Sequence, residues 1–314
     1  MSQPKREQVE ALVNIATNGS LDRIDQRAKR GAELRQWGLN PKLPEPGSPL
    51  AADDAAFHQA YPEALSGGQG VTEEALFPTM SAVECLGAVE TLVQQRQNGS
   101  VYAVPVMQLC RSALETSART IWILSQPERG ERIERALRVL VAQLEQQKRF
   151  LKIEDSNMSK NEARFSPELL AMNREHQRKQ AELLKTLKDT YPLPVPDGFG
   201  ETIALAAAWV DEHLPAHDTG ELAANGLHGG ATAFYSWGSS LVHGYKWAVD
   251  YAPGVKLFPM IADSLAAAVF MTECAVCLNE AARRAPGGQR SADSYVPERL
   301  EPTIAAWSQE LFTE

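Results

Sequence analysis

The chain has 314 residues, 44% of them hydrophobic, enough length and apolar content for one sizeable core or two small ones. A net charge of −9 argues against a general nucleic-acid binder, whose phosphate contacts need a basic face, although a local basic cleft is compatible with it. The four cysteines lack the dense spacing of a secreted disulfide framework.

Residues 1–30 begin Met-Ser-Gln-Pro-Lys-Arg-Glu and reach no apolar signal-peptide core, so a cytoplasmic location is expected. Residues 5–37 read as one or two amphipathic helices with Val9, Leu12, Val13 and Ala16 on one face, within an N-terminal helical segment at 1–40. Over 41–78, six prolines (41, 44, 46, 49, 62 and 78) and the run Gly67-Gly68-Gln69-Gly70 predict an irregular connector. It would attach the N-terminal segment loosely to a bundle domain at 79–314. Alternating Val/Ile/Thr runs are lacking, and helical periodicity recurs from about Ser81 to the end. The fold class is therefore an all-α multi-helix bundle, with helices expected at 79–97, 101–125, 129–153, 167–190, 201–213, 231–251, 259–285 and 297–312.

Ile133, Leu137, Leu140 and Leu144 recur at four-three-four spacing, the seam of a helix–helix contact. Ser166-Pro167-Glu168 is a helix start, with Ser as N-cap and Pro at the first helical position. Between these signals the chain is strongly polar, which predicts a solvated hairpin arm around 145–180; the alternative is an arm that binds a protein partner. The apolar stretch 258–278 is interrupted by Asp263 and Glu273, which marks a buried helix and no membrane span. Leu300, Ile304, Trp307 and Leu311 repeat the four-three-four pattern and predict a docked C-terminal helix.

The densest candidate chemistry lies in Arg111-Ser-Ala-Leu-Glu115-Thr-Ser-Ala-Arg119-Thr-Ile-Trp122. On a helix, Arg111 falls within an arc of Val104, Met107, Cys110, Leu114, Ala118, Ile121 and Trp122, with Glu115 at its edge. A guanidinium facing a core needs a partner. Three readings compete: a structural Arg111–Glu115 pair, an anion or substrate contact, and an Arg that snorkels to water. The second constellation runs from Tyr235 to Trp247. It places Thr232, Ser236, Ser239, His243, Trp247 and Asp250 on one helix face, opposite Phe234, Leu241, Tyr245 and Ala248. Small hydroxyl side chains around His243 predict close approach by another helix and a buried imidazole. Beside Arg111 and Glu115 it would be an acid/base site, with Arg119, Ser239, Trp247 and Tyr235 as ligand contacts.

Cys274-Ala-Val-Cys277 has the spacing of half a zinc site, with Cys85 and Cys110 as the other candidates. All four fall in expected helices without a Gly-bearing knuckle, so neither metal nor disulfide is expected. Asp53-Asp54-Ala-Ala-Phe-His58 has no second acidic cluster and carries no metal reading. Phosphate-cradling loops, GxSxG and HExxH are missing, and no cofactor is implied.

At 111–122, at Pro127-Glu128-Arg129-Gly-Glu-Arg132 and at Ser239-Ser240-Leu-Val-His243-Gly244, the chain resembles a group of all-helical bacterial proteins found in actinobacteria and their phages. That group is distantly similar to the HEPN superfamily of ribonuclease toxins and phage-defence proteins. The resemblance covers about residues 80–285. It implies RNA or a nucleotide as ligand, with His243 as acid/base, Arg111 as anion contact and Glu115 as its orienter. HEPN ribonucleases also carry an Arg shortly upstream of the His on the same helix; the corresponding positions here are Gly238, Trp237 and Ser236. The competing expectation is a non-catalytic interaction or scaffold protein, in which the same residues are structural. A homodimer fits either reading.

Overall fold

The computed structural model describes residues 8, 11, 14–67, 70–96, 101–194, 198–251, 253–288 and 294–312. Among these, regular structure is helical throughout. The helices are α1 (Ser20–Ala32), α2 (Arg35–Leu39), α3 (Pro49–Ala60), α4 (Val71–Gln94), α5 (Ala103–Leu124), α6 (Arg129–Lys160), α7 (Pro167–Thr190), α8 (Phe199–Glu212), α9 (Glu221–Asn225), α10 (His228–Val242), α11 (Trp247–Tyr251), α12 (Leu257–Arg283) and α13 (Glu301–Glu310). The all-α multi-helix bundle expected from the sequence is the observed fold.

Helix α12 is the axis of the bundle because it is apolar on every side. From Ile261 to Ala282 nearly every side chain is buried, under α1, α4, α5 and α13. Both α4 and α12 are long and apolar enough to cross a membrane, but 94% of the apolar window of α12 is buried inside the bundle. Small hydroxyls and one amide fix the register of the central helices. Asn279 Nδ2 donates to Thr79 Oγ1 at 2.8 Å, Thr79 and Thr120 hydroxyls meet at 2.8 Å, and Ser117 meets Thr272 at 3.0 Å. Such bonds satisfy buried polar groups and disfavour sliding of one helix along another.

The stretch 41–78 departs from the irregular connector expected of it. Pro49 opens α3 at its first position, with Ser48 Oγ accepting from Ala51 N at 3.2 Å. Helix α4 starts at Val71, eight residues before the expected 79, and carries Pro78 inside it. Its cap comes from a distant residue: Asp54 accepts from Thr72 N at 2.9 Å and from Thr72 Oγ1 at 2.6 Å. A cap supplied across the fold leaves no local signature. Attachment of the N-terminal segment is tight as well. Ile24, Leu34 and Trp37 share one core with Leu50, Phe57 and Ala64. Of the apolar face expected at the extreme N-terminus, Ala16 is exposed, and Val9, Leu12 and Val13 lie outside the described residues.

Helices α6 and α7 form the expected antiparallel arm. Ser166 caps α7 by accepting from Leu169 N at 3.2 Å, with Pro167 next. Helix α6 continues to Lys160, seven residues past the expected 153, because Leu151, Met158 and Leu170 extend the seam outward. Besides α6, the main footing of α7 is the turn Pro62–Gly67, where Tyr191 Oη donates to Glu63 at 2.9 Å. At the other end of the chain, α13 docks as expected. Leu300, Ile304 and Trp307 are buried, and the Trp307 ring meets Trp209 edge-on at 5.2 Å.

Candidate functional site

The charged residues of α5 form a stripe one turn apart, roofed by α8 and α10. Arg111 Nη2 lies 2.6 Å from Glu115 Oε1 without a well-aligned hydrogen bond, so Arg111 Nε and Glu115 Oε1 stay unsatisfied. The Tyr235 ring of α10 covers the Arg111 guanidinium at 5.3 Å, and the Phe199 ring of α8 covers Arg119 at 5.3 Å. Helix α10 gets this close because Gly238 has no side chain: a Cβ there would meet Arg111 Cβ at 2.9 Å. Burial raises the Glu115 carboxyl above its ordinary range despite Arg111 and Arg119. It likewise lowers Arg119, which Glu74 and Glu115 only partly offset. Glu74 of α4, 3% exposed, accepts from Gln143 Nε2 of α6; burial pushes it to about 7 against the pull of Arg119.

Arg111, Glu115, Arg119 and Tyr235 are thus gathered as expected, and His243 is not. Helix α10 ends at Val242, whereas the periodicity predicts helix to 251. Gly244, with φ +69°, closes the helix with two bonds: Gly244 N to Leu241 O at 3.2 Å, and Tyr245 N to Ser240 O at 2.9 Å. His243 is therefore the C-cap, exposed, with the Tyr245 ring 5.7 Å away. No hydrogen bond or ion pair joins it to Arg111 or Glu115 among the described residues. The buried imidazole inferred from neighbouring hydroxyls is corrected accordingly. Small residues do mark a close helix approach, but it occurs at Gly238 and Ser240, while Ser236 on the face of His243 is exposed. Ser239 is half-buried and binds the His243 amide through its carbonyl; Trp247 is exposed and stacks edge-on with Tyr251.

The most completely satisfied charges lie elsewhere. Glu273 of α12 is fully buried and receives Arg30 through two bonds of 2.7 and 2.6 Å, Arg299 at 2.7 Å and His217 Nε2 at 3.2 Å. His217 Nδ1 lies 2.8 Å from Thr303 Oγ1, so one carboxylate ties α1, α12, α13 and two loops. Burial would raise Glu273, but hydrogen bonds from His217 and Arg30 and the charges of Arg30 and Arg299 hold it at about 2. Seven residues on, Glu280 binds Trp37 Nε1 at 2.8 Å together with Arg283 and Arg284. Asp53, buried, is clasped by Arg132 Nε and Nη2 at 2.6 and 2.8 Å, and Arg132 Nη1 donates to Gln126 O and Pro127 O. Sequence reasoning passed over all three. Glu273 read as an interruption of an apolar stretch, Glu280 lay just beyond that stretch and was not singled out, and Asp53 read as a discarded metal motif. Their signal was two acids seven residues apart, on one face of an otherwise apolar helix.

Cys110, Cys274 and Cys277 are buried and Cys85 half-buried; all four are free thiols, and burial raises each of them. Compared with protein-family models, curated proteins and solved structures, the chain matches none. The HEPN resemblance therefore rests on its short motifs alone.

Proposed function

We propose that this chain is a non-catalytic helical interaction protein of the cytoplasm whose α6–α7 arm receives an acidic protein partner. The observation that carries the reading is a groove of about 490 Å³ between the arm helices, lined by Lys148, Arg149, Lys152, Lys185 and Lys188 against Glu145 and Asp189. Five cations facing two anions stand out in a chain of net charge −9. Phe150 and Ile153, 57% and 60% exposed, adjoin Arg149 and Lys152 in sequence and add apolar contact area. The interleaved acids favour a protein surface over RNA, because a phosphate backbone would meet Glu145 and Asp189 at close range. In this reading the Arg111–Glu115 pair and the Glu273 cluster govern helix packing. A HEPN-like site acting on RNA or a nucleotide would need an imidazole beside Arg111, and the exposed position of His243 weighs against it.

Titration of a labelled glutamate-rich peptide by fluorescence anisotropy, with a labelled homopolymeric RNA in parallel, tests the reading. Peptide binding that weakens with salt and is lost in the triple variant Lys148→Glu, Lys152→Glu, Lys185→Glu is expected. RNA bound more tightly than peptide, or RNA cleaved by the wild type and spared by His243→Ala, would overturn it.

A further inference from the structure

The outward face of α4 has the pattern of a helix–helix seam, and among the described residues no helix lies over it. Phe77, Met80, Glu84, Gly87 and Thr91 recur at three-four-three-four spacing, the repeat by which one helix packs along another. A groove of about 430 Å³ runs along this face, walled on one side by Arg35, Gly38 and Leu39 at α2. Phe77 and Leu39 are 73% and 63% exposed, unusual for large apolar side chains so close together. Bulk is unevenly divided along the seam: Phe77 stands at one end, and ten residues on Gly87 and Ala88 leave a hollow. Charge is divided as well, since Arg35 and Glu84 line the same groove and neither has a hydrogen bond or ion pair among the described residues.

We propose that a second copy of this chain fills the groove, its α4 antiparallel to the first across a two-fold axis between residues 82 and 83. A two-fold makes every contact twice, residue 77 of each copy lying opposite 87 and 88 of the other. Phe77 then enters the hollow of its mate at both ends. A parallel pairing would set Phe77 against Phe77 and glycine against glycine, a bulge beside a void. The seam from 77 to 91 is about 21 Å long at the helical rise. At this register Glu84 of each copy lies level with residue 81 of the other, and Arg35, beside Gly87, level with residue 78, so the closed seam holds two cations and two anions and carries no net charge. The arm groove is a separate surface, and its variants leave this association untouched.

Light scattering on size-exclusion fractions at micromolar concentration, with Phe77→Ala and Gly87→Phe run singly and mixed, tests the proposal. Phe77 is exposed, so its truncation leaves no buried void, and the Cβ added at Gly87 meets nothing nearer than Arg35 Cδ at 3.8 Å; circular dichroism of each variant checks that the fold is kept. Wild type is expected at the mass of two chains. Each single variant is expected at one chain, from an empty hollow in the first and a clash of two phenyl rings in the second. Mixed together they pair again. The shortened side chain at position 77 of one variant then faces the new phenyl ring at position 87 of the other, and at the opposite end the unchanged Gly87 receives the unchanged Phe77. A wild type of one-chain mass overturns the proposal. So does a dimer that survives both substitutions, or a failure of the mixture to associate.

Discussion

Glu273 and Glu74 are two carboxylates on core helices with almost the same burial, 0% and 3% exposed, yet one is held at about 2 and the other at about 7. Desolvation penalises the charged form of both. What separates them is the company each keeps. Glu273 receives Arg30 through two bonds, with Arg299 and His217 completing its shell. Glu74 receives one neutral amide, from Gln143, while Arg119 acts on it through charge alone. Burial therefore does not fix protonation here; the number of cations in direct contact does. The α12 cluster is finished at its carboxylate, both oxygens of Glu273 being held and Arg299 Nη1 being the one buried polar atom of the cluster left without a partner among the described residues, whereas the α4–α5 stripe is under-compensated.

The largest expected effect breaks the finished cluster. Glu273→Gln removes the anion that holds Arg30 and Arg299 and should cost about 3–5 kcal/mol, the usual penalty for stranding buried charge. Chemical denaturation at pH 7 measures it, and a loss under about 1 kcal/mol would mean that water reaches the arginines. The wild-type pH profile carries the same signature. A carboxyl held below its ordinary 4.5 stabilises the fold above that pH, and the contribution disappears as pH falls toward 2.

Glu74 has the opposite sign. Its raised carboxyl keeps its proton in the fold while the unfolded chain gives it up, so its contribution to stability falls as pH climbs from 4.5 to about 7. Glu74→Gln should leave stability unchanged below that window. Above it the variant should be more stable than wild type, by up to roughly 3 kcal/mol. Parallel melts at acid, neutral and alkaline pH would show the two curves separating across the window; curves that stay superposed would place Glu74 in a solvated site.

The contrast also explains how far sequence reasoning reached. Helices with period-3.6 apolar faces, the Ser166-Pro167 start and the Leu300–Trp307 stripe were readable because each is encoded within its own segment. The Arg111–Glu115 pair was readable for the same reason, being one turn apart. Asp54 as the cap of α4, Arg132 on Asp53 and Arg30 on Glu273 join residues 18, 79 and 243 positions apart, and local periodicity carries no record of such pairings. The end of α10 was readable and misjudged. Gly244 is a helix-stop residue, but the apolar pattern on either side of it suggested one continuous helix.

A smaller effect is expected where α10 lies on α5. Gly238→Ala puts a methyl 2.9 Å from Arg111 Cβ and 3.3 Å from Met107 O, neither of which is a flexible chain end. Helix α10 must move outward, lifting Tyr235 off Arg111, at about 1–3 kcal/mol for overpacking a close contact. Helix propensity acts the other way by about 1 kcal/mol, since alanine replaces glycine in a helix. A net destabilisation in urea accompanied by a change in tyrosine fluorescence is expected. A stabilised variant would show that the two helices are not in intimate contact.

The smallest effect is predicted at His243. As an exposed C-cap whose ring has Tyr245 as its nearest aromatic neighbour, it strands no buried partner when removed. His243→Ala should change stability by less than about 0.5 kcal/mol, the range of ordinary surface substitutions. Arg111→Ala should cost more, because Glu115 is then left half-buried without its cation. Measured together, the two variants locate the centre of the α5–α10 region. If His243→Ala were the more damaging, the imidazole would have to turn inward toward Arg111, and the acid/base reading of this helix end would regain its footing.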